Sequence, residues 1–139
     1  MTKRNVELKD LKEFAKEFLN NLSSNCVALH GNLGAGKTSF TQEVAKVLGV
    51  KEEVISPTFL IMREYDIPGD KKFKKLIHID AYRLQNEDDL KVFNIKDLIS
   101  NPEFLIFIEW PERLDQDTLQ NCQKLHIENI SETCREFSY

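Results

Sequence analysis

The chain has 139 residues, a formal net charge of -4, and is 41% hydrophobic and 30% charged. That size fits one domain spanning 1–139 around one core, and the acidic balance argues against a surface given over to non-specific nucleic-acid binding. No run is apolar and long enough for a membrane helix, and Met1 to Glu7 lacks the apolar centre of an export signal, so a cytoplasmic protein is expected. Cys26, Cys122 and Cys134 show no metal-ligand spacing and are expected to be reduced thiols.

From Leu8 to Leu22, apolar residues fall at Leu8, Leu11, Phe14, Ala15, Phe18, Leu19 and Leu22, which predicts an amphipathic helix. Ser23-Ser24-Asn25 breaks it. Cys26 to His30 is almost continuously apolar and reads as a strand covered on both faces, as in a parallel sheet. Thr38 to Leu48 has helical periodicity and stops at Gly49. Pro57 pushes Ser56 out of helical geometry, so Ile55 to Thr58 is a loop. Thr58 to Ile67 reads as extended, and Ile67-Pro68-Gly69-Asp70 as a turn. Leu76 to Asp80 alternates as a strand, and Glu87 to Ser100 predicts one or two short helices. Phe104 to Ile108 is the most apolar stretch and is expected to be a central strand; Leu125–Ile127 and Thr133–Tyr139 are expected to be two edge strands. Strands alternating with helices, with antiparallel turns at the end, imply a layered α/β fold on a mixed sheet.

Between the first buried strand and the second helix lies Gly31-Asn32-Leu33-Gly34-Ala35-Gly36-Lys37-Thr38, a complete G-x-x-x-x-G-K-[ST] pattern in the context it requires. Glycines permit backbone angles that a side chain forbids, so the N–H groups of the turn can converge on an anion. The helix that follows adds free N–H donors and the positive end of its dipole. Lys37 supplies an ammonium for the β- and γ-phosphates, and the Thr38 hydroxyl can join a magnesium shell. The expected ligands are ATP and Mg2+, with Asn32, Leu33, Gly34, Ala35, Gly36, Lys37, Thr38 and Ser39 as the nucleotide contacts.

Such a site needs an acid at the end of a neighbouring strand. Asp80 and Glu109 both qualify, and the residues alone leave open which one touches the metal. Trp110, the only tryptophan, either packs at the sheet edge or stands beside the nucleotide. His78 lies two residues before Asp80 and faces the same side of a regular strand, close enough to support the site; His30 reads as a structural histidine. Lys71-Lys72-Phe73-Lys74-Lys75 could touch nucleic-acid phosphates, although short charge runs are more often solvated loops. No N-K-x-D guanine motif is present, which argues against a GTPase, and no arginine-rich lid is evident, which argues against a small-molecule kinase.

Four blocks occur in order: His30 to Thr38, Ser56-Pro57-Thr58-Phe59, His78-Ile79-Asp80-Ala81-Tyr82-Arg83-Leu84, and Ile108-Glu109-Trp110-Pro111-Glu112. In these the chain resembles the bacterial TsaE (YjeE) family, the small ATPase of tRNA threonylcarbamoyladenosine biosynthesis. The resemblance spans about residues 26 to 114 and loosens after Leu114. It implies a P-loop NTPase-like three-layer sandwich with a mixed, mainly parallel sheet. It implies weak ATP hydrolysis activated by the partner proteins TsaB and TsaD, with tRNA reached through that complex and no membrane. On these positions Lys37 and Thr38 would bind phosphate and magnesium, and Glu109 would contact the metal. Thr58 would sit in a switch-like loop and Asp80 in a second one, so Asp80, Glu109 and Thr58 are the expected catalytic residues. Tyr82 and Arg83 would help the site or the partner surface respond.

Overall fold

A computed structural model describes residues 1–32, 34–55, 61–82 and 94–139. Seven strands form one sheet: β1 (Lys3–Glu7), β2 (Cys26–His30), β3 (Met62–Asp66), β4 (Lys75–Asp80), β5 (Phe104–Glu109), β6 (Gln123–Asn129) and β7 (Cys134–Ser138). Their spatial order is β1-β7-β6-β2-β5-β4-β3. The inner four strands, β6-β2-β5-β4, are parallel, while β3 and β7 run antiparallel to their neighbours. Among the described residues the α-helices are α1 (Leu11–Asn20), α2 (Lys37–Leu48), α3 (Ile95–Ser100) and α4 (Gln116–Leu119).

Strand alternation sorts the core into two halves. Leu105 and Phe107 of β5 face the half that holds Phe14 and Phe18 of α1 and Phe40 and Val44 of α2. Ile106 and Ile108 face the other half, with Ile77, Ile79, Ile95 and Leu114. The expected layered architecture is thus present, with helices on both faces of a mixed sheet that is parallel at its centre. Phe14 is the hub of the first half, with ring centroids 4.4 Å from Phe137 and 5.7 Å from Phe40. Each such side chain contributes roughly 1.5–3 kcal/mol through burial.

Three expectations are corrected. The amphipathic run from Leu8 begins with a 3-10 turn over Leu8–Asp10, and helix proper starts at Leu11. The last two strands are not at an edge: β6 pairs with β2, and β7 is covered by β1, a strand the polar sequence Lys3-Arg4-Asn5-Val6-Glu7 does not announce. Only Val6 of β1 is buried, as befits an edge strand that presents one residue to the core. Finally, Cys26 and Cys122 are paired, with Cα atoms 4.8 Å apart across 96 residues of sequence, whereas free thiols are expected from their spacing; Cys134 is free and buried. Of the 87–100 helical expectation, α3 is described and 87–93 lie outside the described residues, as do 58–60 of the extended segment.

Candidate functional site

The parallel register brings three strand ends to one edge. Asp80 of β4 is paired with Glu109 of β5, and Glu109 with Leu29 of β2, just before the glycine-rich turn. Gly31, Gly34 and Gly36 all have positive φ (154°, 78° and 105°). At Gly31 the requirement is also steric, because a Cβ there would lie 2.6 Å from the Ile127 carbonyl oxygen. Ala35 donates its N–H to the Asn32 carbonyl at 3.0 Å, which closes the turn. Helix α2 then starts at Lys37 with Gly36 as its N-cap and no side chain capping it. Its first amides have no helical acceptors, so the amino end stays open for an anion.

Lys37 is 5% exposed, and its Nζ donates to the Gly31 carbonyl at 2.5 Å. Burial lowers its pKa, opposed by the charges of Glu109, Glu112 and Asp80. The Thr38 hydroxyl faces both Glu109 carboxylate oxygens at 3.3 and 3.4 Å. Glu109 is itself buried, and His78 Nε2 lies 2.5 Å from its Oε2. Asp80, also buried, accepts the Tyr82 N–H on Oδ1 at 2.9 Å. Burial raises the Asp80 pKa; the Tyr82 N–H opposes this, the Glu109 charge adds to it, and His78 and Lys37 oppose it more weakly. A half-buried hydroxyl facing a buried carboxylate, with a further carboxylate on the adjacent strand, is a suitable donor set for a hard divalent cation. An uncapped helix end with a half-satisfied ammonium beside it suits a polyphosphate. The residues therefore fit both expected groups.

The two acids are thereby distinguished: Glu109, not Asp80, is the acid in contact with Thr38. Trp110 stands in the site, its ring centroid 3.7 Å from the Lys37 Nζ. His78 supports Glu109, and His30 sits with Glu112 at 3.2 Å, near the ring of His126. Ser39 is exposed in the first turn of α2. Leu33, Thr58 and Arg83 lie outside the described residues. The basic run is engaged locally: Lys71 donates to the Leu48 carbonyl, Phe73 is buried, Lys74 pairs with Asp70, and Lys75 with Glu64 and Asp66. Arg135, an arginine of the last strand to which the sequence alone assigns no site role, also comes to the turn. Its Nε lies 3.4 Å from where a Gly36 Cβ would be, and its Nη1 donates to the Ser131 and Cys134 carbonyls. No local signal reveals this contact, because it depends on β7 reaching the turn through β6.

Comparison with known proteins agrees with this arrangement. Residues 5–137 match the family described as Threonylcarbamoyl adenosine biosynthesis protein TsaE. A tRNA threonylcarbamoyladenosine biosynthesis protein TsaE of Rickettsia prowazekii is 39% identical over 106 residues, covering 75% of this chain and 69% of that protein. The protein of that name from Streptomyces coelicolor is 34% identical, covering 82% of this chain and 76% of the relative. The crystal structure of YdiB from Bacillus subtilis superposes with a TM-score of 0.69 at 26% identity, covering 98% of this chain and 82% of the other.

Proposed function

The chain belongs to the TsaE family of tRNA threonylcarbamoyladenosine biosynthesis, and we propose that within that pathway it binds ATP with magnesium and hydrolyses the nucleotide slowly, under the control of TsaB and TsaD. The observation that carries this reading is the open amino end of α2, with Lys37 beside it and Thr38 against Glu109. The amides from Gly34 to Ser39 would receive the phosphates. The two Lys37 N–H bonds not used by Gly31 would point at the β- and γ-phosphates. Thr38 and Glu109 would hold magnesium, which when bound neutralises charge on the phosphate oxygens.

Hydrolysis in this reading is attack of water on the γ-phosphorus, in line with the bond that breaks, with ADP and phosphate released. The chain contributes position and charge and forms no covalent intermediate. Asp80 would orient the water; its position beside Glu109, on the neighbouring strand, supports that role. Burial holds the Asp80 carboxyl above its ordinary value, so it keeps a proton more readily than a surface acid does. TsaB and TsaD would complete or align this set, and tRNA would be met only in that complex.

Steady-state ATP turnover tests the proposal, with calorimetric binding alongside. The wild-type chain should bind ATP, turn over slowly alone and accelerate when TsaB and TsaD are added. Lys37→Ala should lose at least a hundredfold in affinity and show no turnover in either condition, since it removes a charge-assisted contact to each of two phosphates. Unchanged ATP affinity in Lys37→Ala would refute the site, and equal turnover with and without partners would refute the control.

A further inference from the structure

The Lys37 ammonium is enclosed on two sides. Gly31 accepts one N–H, and the indole of Trp110 lies across the other side at 3.7 Å, within cation–π range. A phosphate oxygen approaching on that side meets the ring before it meets the nitrogen. Trp110 also holds a backbone conformation that its side chain disfavours, with φ 58° and ψ 51° in the left-handed region. A bulky residue is uncommon there. A residue that precedes proline, as Trp110 precedes Pro111, is normally driven to extended angles as well. Strain of this kind persists only where the surroundings hold it, and it marks segments that change state.

The ring is also the inner member of a stack that reaches the surface. Tyr82 lies against Trp110 with centroids 4.9 Å apart, and the Arg113 guanidinium lies 5.7 Å from the Tyr82 ring. Tyr82 is 42% exposed, and its N–H is held by Asp80. One column of side chains thus runs Lys37, Trp110, Tyr82, Arg113, from the turn to solvent.

We propose that Trp110 is a positioning residue that shutters Lys37 in the nucleotide-free protein, and that phosphate binding displaces its ring and so alters the exposed Tyr82–Arg113 end of the stack. The inference rests on the nucleotide reading above and adds a sign to it: the tryptophan opposes binding. Removing the ring leaves the ammonium open to phosphate, so affinity rises when a bulky side chain is taken away. A tryptophan that contacts the nucleotide, or one that only fills space, gives the reverse or nothing.

The test uses calorimetric ATP affinity in wild type, Trp110→Phe and Trp110→Leu, with thermal unfolding of each to register any loss of fold. Affinity should tighten in the order Trp, Phe, Leu, by about threefold to tenfold overall, because indole is the strongest cation–π partner of the three. Unchanged or weaker binding in Trp110→Leu overturns the shutter. The second measurement needs no variant of the ring. Trp110 is the only tryptophan, so the protein's tryptophan emission reports on the surroundings of this one ring, Lys37 among them. Lys37→Met should shift the emission of the nucleotide-free protein, and ATP should shift the wild type in the same direction. An emission indifferent to Lys37 overturns the proposal even if the ring variants misfold. Wild-type protein that fails to bind ATP at all instead strikes the nucleotide reading, so the two failures are distinguishable.

Discussion

The two ends of α2 face the same physical problem and are treated in opposite ways. Any helix leaves its first N–H and last C=O groups without helical partners. At the carboxyl end every convenience is supplied. Gly49 takes φ 86° and donates its N–H to the Lys46 carbonyl at 3.1 Å, Val50 donates to Ala45 at 3.0 Å, and Lys71 donates to Leu48. At the amino end Gly36 offers no capping side chain, and the nearest charges, Lys37, Asp80 and Glu109, are buried against one another. One end is finished by the chain, and the other is left to be finished by a ligand. A buried cluster of ionisable groups costs stability in the empty protein, so it is the amino end that is shaped for binding.

Substituting the glycine at each end separates the two. Gly36→Ala should have the larger effect, and it should fall on nucleotide binding. The φ of 105° is strained for any side chain, so the backbone of the turn is expected to relax, although the new Cβ itself would make only ordinary contact with Arg135 Nε at 3.4 Å. A shift of the amides that would hold phosphate is expected to weaken ATP binding by about tenfold or more, read by calorimetry, with only a modest fall in Tm. Gly49→Ala should do the converse. Its Cβ would meet the Lys71 ammonium at 2.9 Å, at the movable tip of a flexible side chain, while φ 86° remains unfavourable. The expected loss is about 1–2 kcal/mol of stability in denaturant unfolding, with ATP affinity unchanged. Were Gly49→Ala to weaken ATP as much as Gly36→Ala, the two ends would not be separable.

Much of this was legible before any coordinates, because the informative patterns are local. The glycine octamer, the apolar strand ahead of it and the helix behind it are contiguous, and Phe104 to Ile108 can be little other than a buried strand. What stayed hidden is what topology alone creates. Asp80 and Glu109 both end strands, and nothing in either segment says that β5 lies next to β2 while β4 lies one strand further out. That order gives Glu109 to Thr38. The same holds for β1, whose alternating polar sequence resembles a loop until β7 pairs with it, and for Arg135, which meets Gly36 only because β7 and β6 fold beside the turn. The left-handed Trp110 runs against local preference, so a rule built on the residue before a proline predicts the wrong backbone there.

Asp80→Asn sharpens the contrast at the smallest scale, by asking whether the amino end is destabilising in the empty protein. Burial holds the Asp80 carboxyl above its ordinary value, so the native state binds a proton more tightly than the unfolded chain does. Between the ordinary value and the raised one, the native state therefore carries more protons, and stability falls as pH rises through that window. Above the window the whole penalty is present; below the ordinary value it vanishes, because both states are protonated. Asparagine keeps an oxygen to accept the Tyr82 N–H but has no charge to bury. The variant should therefore melt about 2–4 °C higher than wild type near neutral pH, with the difference shrinking as the pH falls from the raised value towards the ordinary carboxylate value and gone below it. Melting curves of the nucleotide-free proteins across that range decide it. A variant less stable than wild type at neutral pH would mean that Lys37 and His78 more than offset the burial of Asp80, and the charges at the amino end of α2 would then be a stabilising network rather than a destabilising cluster.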